Sequence, residues 1–161
     1  MIEREPAMSS HNESIEVSVP VRDAYNQWTQ FESFPEFMGG VERITQTDPT
    51  HTHWTVRIGG VSRDFDAEIT EQTPDQRVAW KSTSGATHGG VVTFHRLSDS
   101  QTRVMLQLDT DPEGFVEKVG EAVGVVGHQV KSDLERFKTF IEERSVPTGG
   151  WRGEVGQDPT R

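Results

Sequence analysis

The chain has 161 residues, 32% of them hydrophobic, and a formal net charge of -10 at pH 7. That is the length of one ordinary domain, with room for a real core but not for a second catalytic unit. The acidity repels phosphate backbones and anionic lipid surfaces, and no Lys/Arg cluster offsets it locally, so neither nucleic acid nor stable membrane insertion is expected.

Every apolar run falls short of the ~20 residues that a membrane span needs, and the acidic start carries no signal-peptide core, which predicts a cytoplasmic protein. The absence of cysteine excludes a disulfide framework and any thiolate metal or redox centre.

Residues 1–12 are polar and aperiodic and read as a loose tail. From Glu13, the residues Ile15, Val17 and Val19 alternate with polar ones, the period of a strand with one buried face. Pro20 suits the first turn of a helix carrying Tyr25 and Trp28. Ser33 then caps a short second helix opened by Pro35, with Phe34, Phe37 and Met38 on one side as an apolar lid. Gly39-Gly40 breaks it.

The strand-like runs that follow are separated by turn signals at Asp48-Pro49, Gly59-Gly60, Pro74-Asp75, Ser84-Gly85 and Asp99-Ser100, the spacing of an antiparallel meander. Alternation assigns their inner faces: Trp54, Val56 and Ile58; Val61, Arg63, Phe65, Ala67 and Ile69; Val78, Trp80 and Ser82; Val92 and Phe94; Val104, Leu106 and Leu108. After Pro112 the period becomes helical, with Phe115, Val119, Val123, Val126, Val130, Leu134, Phe137 and Ile141 stepping by three and four. The predicted class is α+β: a curved antiparallel sheet of about seven strands around one long C-terminal helix, with two short helices between strands 1 and 2. The ordered domain spans 13–144, the helix covers about 113–144 with a break conceivable between Gly120 and Gly127, and 145–161 form a glycine-rich tail.

Motifs for nucleotides, flavins, nucleophile elbows and zinc hydrolysis are missing, so no cofactor and no metal are expected. His51 and His53 share a strand face but lack a third ligand, and His128 falls on the outer side of the long helix. Gly120, Gly124 and Gly127 lie on one flank of the apolar stripe, each at a cost of ~1 kcal/mol relative to Ala. Either close packing or a bend accounts for them, or the missing side chains leave room for a ligand beside Gly124 and Gly127. Arg63 shares the inner parity of Phe65 and Trp80; it is either internally paired or turned outward, or it anchors a ligand oxygen. Trp54 and Trp80 are core on one reading and cavity lining on the other. No inward His, Asp or Glu is expected from parity.

The block from Tyr25 to Met38, with Trp54, 67–70, 85–94 and 134–137, resembles the polyketide cyclase/dehydrase branch of the START-like (SRPBCC) superfamily over about 14–143, and 150–154 is similar to a tail found in that branch. The resemblance implies the helix-grip fold and a deep cavity; strand parity would line it with Trp54, Phe65, Trp80 and Phe94, and the lid would narrow it with Phe34, Phe37 and Met38. It implies binding of a hydrophobic small molecule, lipid-like or polyketide-like. Alternatives are a cofactor-free cyclase or dehydratase, for which Arg63 and Tyr25 are the residues carried over, and a protein-interaction module using the lid or Trp151. Trp151 is expected to dock onto the domain, because an exposed indole forfeits about 1.5–3 kcal/mol of burial.

Overall fold

The computed structural model describes residues 9–58, 61–85, 87–110, 119–144 and 146–156. Strands β1 (Ser9–Val17), β2 (Val41–Asp48), β3 (His51–Ile58), β4 (Val61–Thr73), β5 (Arg77–Gly85), β6 (His88–Ser98) and β7 (Gln101–Thr110) form a single antiparallel sheet in the order β1-β7-β6-β5-β4-β3-β2. Helix α1 (Val21–Trp28) and a 3-10 turn (Phe31–Glu36) connect β1 to β2, and α2 (Val119–Arg144) follows the last strand. This is the expected helix-grip architecture of strands and helices.

β1 begins at Ser9, ahead of the expected start at Glu13, because pairing with β7 extends from Val17↔Thr102 back to Ser9↔Thr110. Polar residues can occupy an edge strand whenever a neighbour supplies the ladder. Register shifts in β4–β5, between Asp66 and Ala67 and again between Ile69 and Glu71, insert bulges that strengthen the twist and bend the sheet. Ser33 does not cap a helix as expected: the 3-10 turn starts before it, at Phe31, and the Ser33 hydroxyl lies 3.0 Å from Thr148 Oγ1.

α2 runs unbroken through Gly120, Gly124 and Gly127, against a break there; residues 111–118, where the expected helix begins, lie outside the described residues. Val130, Leu134, Phe137 and Ile141 are all buried against the concave face and the connection between β1 and β2. His128 is exposed, as its helical phase requires.

The segment 146–156 packs along α1 and the end of β4. Gln27 is fully buried, and its amide exchanges two hydrogen bonds with Thr148: Gln27 Nε2 donates to Thr148 Oγ1 (2.9 Å), and the Thr148 N–H donates to Gln27 Oε1 (2.8 Å). The Trp151 N–H donates to Thr29 Oγ1 (3.0 Å), Arg152 bonds Asn26 Oδ1 (2.8 Å) and pairs with Asp75 (2.9 Å), and Val155 forms a β-bridge with Gln72. Trp151 therefore docks through its backbone, while the residue remains 39% exposed. Thr148→Val keeps the shape but leaves the Gln27 Nε2 donor buried without its acceptor, so urea denaturation should show a loss of about 1–3 kcal/mol.

Candidate functional site

The 3-10 turn and α1 bring their aromatic rings down onto the sheet. Phe31 stacks on Phe34 (4.6 Å between centroids), and Phe34 meets Trp54 (5.9 Å) and Trp80 (5.7 Å). Trp54 stacks on Trp80 at 5.4 Å, while Phe37 lies against Phe137 of α2 at 5.2 Å and Trp28 at 5.1 Å. All these rings, with Met38, are 2% exposed or less. Centroid separations of this size are those of touching rings. The lid end of the grip is thus filled, and Phe34, Phe37 and Met38 are core packing rather than the neck of a cavity.

The remaining sequence-predicted residues separate to different places. Tyr25 is fully buried, edge-on to Phe94 at 5.5 Å and under the Arg152 guanidinium at 5.5 Å; its hydroxyl has no hydrogen-bond partner among the described residues. Burial pushes the phenol up to about 12, with the Arg152 charge opposing and Asp75 assisting, so it stays protonated at neutral pH. Arg63 is exposed, which corrects the buried inner position expected from parity. It sits near the start of β4, two residues before Phe65, the first buried residue of that strand. Alternation assigns a face but not how far the face is covered, and a long guanidinium at an uncovered end turns to water. The surroundings of Gly124 and Gly127 lie outside the described residues.

Two inward-facing titratable groups were not anticipated. His88 opens β6, whose alternate residues His88, Gly90, Val92 and Phe94 are all buried. Its ring stacks on Phe65 at 4.8 Å and faces Trp54 at 5.3 Å. Trp80 Nε1–H donates to His88 Nδ1 (3.3 Å), and the His88 N–H donates to Ser82 Oγ (3.1 Å). Burial lowers the imidazole to about 4, against a small upward pull from Asp109, so the ring is neutral near pH 7. With Nδ1 accepting, the imidazole proton resides on Nε2, and that donor has no partner among the described residues. The alternation of Val92 and Phe94, carried back four residues, would have found His88; Gly89-Gly90 interrupts the apolar signal.

Asp133, 2% exposed, lies beside Leu134 on α2. It accepts the Gly39 N–H (2.9 Å) and Gln129 Nε2 (2.8 Å), tying the lid turn to the helix. Burial raises its carboxyl to about 6, opposed by those two hydrogen bonds and by Arg136. Its position on the flank of the stripe was readable, but its partner is a backbone group 94 residues away.

His51 and His53 lie on the opposite face of the sheet from Trp54 and pair with Asp48 (2.9 Å) and Asp66 (2.7 Å). Among the described residues no group of three or more His, Cys, Asp or Glu could hold a metal ion, and no helix is long and apolar enough to cross a membrane.

His88 and Tyr25 do not share a site. Phe94, which touches Tyr25, is six residues along β6 from His88, a separation of about 20 Å at the rise of a strand. Arg63, by contrast, lies two residues from the ring on which His88 stacks. At this end of the grip lie packed aromatic rings, a neutral imidazole N–H donor, and the charged side chains of Arg63, Lys81 and Asp109.

The chain is 62% identical over 149 residues to an uncharacterized 17.2 kDa protein of Streptomyces lincolnensis, covering 92% of this chain and 99% of that one. Among solved structures it is similar to a START superfamily protein from Mycobacterium smegmatis, with a TM-score of 0.72 and 14% identity over 84% of this chain and 98% of the other. It is also similar to the Zhui aromatase/cyclase from Streptomyces sp. R1128, with a TM-score of 0.70 and 14% identity over 89% and 99% of the two chains. At these identities the structural likeness concerns the fold alone. The model of the family "Polyketide cyclase / dehydrase and lipid transport" matches residues 17–139. The chain belongs to that family.

Proposed function

We propose that the protein binds a hydrophobic small molecule bearing an acceptor oxygen, at the end of the grip where Phe65 and His88 stack. The observation that carries this reading is the neutral, buried His88, whose Nε2–H has no partner among the described residues. A ketone, phenolate or carboxylate oxygen reaching that donor would make a hydrogen bond to it in apolar surroundings. Trp54 and Phe65 pack around the imidazole and make its surroundings apolar. Arg63 at the rim suits a ligand with an acidic group at its outer end. β7 ends at Thr110, opposite His88.

The second reading is cofactor-free cyclisation or dehydration of a polyketide-like substrate, and His88 supplies the acid–base group that parity did not predict. A base with a pKa of about 4 is weak at neutral pH, whereas proton transfer is most efficient when that value lies near the working pH. Tyr25, held at about 12 and about 20 Å along the strand, does not complement it. These magnitudes favour binding over catalysis.

The reading is tested with two probes, a hydroxyanthraquinone and anthracene, titrated against the protein and a His88→Phe variant whose folding is checked by its melting transition. The anthraquinone should bind the parent and lose about tenfold in affinity in the variant, while anthracene binding holds. Equal loss for both probes, or no binding of either by the parent, defeats the proposal.

A further inference from the structure

A cleft of about 350 Å³ opens on the opposite side of the molecule from the His88 end, where the end of α1, the β2–β3 hairpin, β4 and the C-terminal segment meet. Its walls differ in kind from those of the interior. Three side-chain amides, Gln30, Gln46 and Gln72, line it together with Asp48 and the Trp151 indole. Gln72 is 2% exposed, yet its side-chain amide makes no hydrogen bond to any described residue; only its backbone is engaged, by Val155. Its amide therefore has donor and acceptor capacity to offer a molecule that enters the cleft. Gln46 spends its Nε2 on the carbonyls of Asp48 and Pro49, and Gln30 spends its Nε2 on Thr29 Oγ1, leaving the amide oxygens of both as acceptors.

Trp151 forms the rim. One part of its ring lies so close to Gly153 that a Cβ there would stand 2.5 Å from Cζ2, so the segment's own backbone supports the indole from behind. Trp151 is 39% exposed and lines the cleft, so it still offers surface to a ligand. Among the described residues no cation lines the cleft and the Asp48 carboxylate is its only ionised group, which with the net charge of -10 disfavours phosphates, nucleotides and carboxylic acids. The amides and hydroxyls disfavour plain hydrocarbons. A ligand that fits has an apolar ring face to lie on indole and a rim of groups that both donate and accept.

We propose that this cleft is a second binding site, for a neutral saccharide stacked on Trp151 with its hydroxyls on Gln72, Gln30 and Gln46. The site is independent of the hydrophobic interior. Sugar hydroxyls match side-chain amides, each of which presents a donor and an acceptor side by side.

The test is ligand-observed NMR and calorimetry of the full chain with methyl glucoside, maltose, cellobiose and lactose, alongside adenosine and glucuronate. At least one neutral saccharide should bind, with saturation transfer strongest on its ring C–H protons. Trp151→Ala and Gln46→Ala, both at surface-accessible positions, should each weaken it by about tenfold. Gln72→Leu should abolish it, and if that variant fails to fold, the first two decide the matter. Absence of binding by every saccharide, affinity unchanged by Trp151→Ala, or adenosine or glucuronate binding in preference overturns the proposal.

Discussion

Gly90→Val is expected to destabilise the protein severely, although valine is among the best strand formers. Gly90 faces the interior directly opposite Trp80 in the β5–β6 ladder, and the Trp80 indole folds back over it: a Cβ at Gly90 would contact Cζ2 and stand 2.7 Å from Cε2 and Cη2. The ring cannot move aside cheaply. It is held by its hydrogen bond to His88 Nδ1 and by stacking on Trp54, which itself rests on Phe34 and Phe65. Overpacking a rigid core costs about 1–3 kcal/mol and sometimes more, whereas the whole strand-propensity scale spans only ~1 kcal/mol. Gly90→Ala should therefore lose about 1–3 kcal/mol in urea denaturation, and Gly90→Val more, with a shift in tryptophan fluorescence as the stack opens. Gly39→Ala is the control, since its added methyl meets only the flexible end of the exposed Arg136 side chain. Equal stability of Gly90→Ala and the parent would show that the indole has another place to go.

The same stack shows what a sequence can and cannot disclose about this site. Alternation located Trp54, Phe65, Trp80 and Phe94 on one face, and four of the five turn signals fall at the observed strand ends; the fifth, at Gly59-Gly60, lies outside the described residues. Periodicity works there because the covered face of each strand is continuously apolar. It fails where cover runs out, as at Arg63, and where glycines dilute the pattern, as at His88. Whether Phe34 and Phe37 line a space or fill it depends on ring separations set by elements far apart in the chain, which no local pattern encodes. The docked tail is a similar case: Gln27 and Thr148 are 121 residues apart, and neither type signals the other. The family resemblance supplied the helix-grip, and the family match bears it out, but it named Tyr25 and Arg63 rather than the histidine that sits among the aromatics.

The two buried titratable groups should make the protein's stability nearly indifferent to their own titrations between about pH 4 and 6, and removing either should expose the other. His88 has a folded pKa of about 4 against an ordinary 6.5, so within that interval the unfolded chain binds the extra proton; its contribution is complete above 6.5 and is lost as the pH falls to 4. Asp133 has a folded pKa of about 6 against 3.8, so there the folded chain binds the extra proton; its contribution is complete below 3.8 and is lost as the pH rises through 6. The slopes are opposite in sign over the shared window. The shifts correspond to at most about 3–4 kcal/mol for His88 and about 3 kcal/mol for Asp133, at ~1.4 kcal/mol per pH unit. An asparagine at position 133 can still accept from Gly39 N and Gln129, so Asp133→Asn should be at least as stable as the parent at pH 7.5 and should lose stability steadily as acid is added from pH 6.5 to 4.5. His88→Phe should show the reverse trend, with a higher urea midpoint at pH 4.5 than at pH 7.5 relative to the parent. The surface carboxylates Asp48 and Asp66, held below their ordinary values chiefly by hydrogen bonds, titrate alike in all three proteins and cancel from the comparison. Urea midpoints at the two pH values decide it: parallel pH profiles for parent and both variants would mean that neither group is as buried in solution as its packing implies.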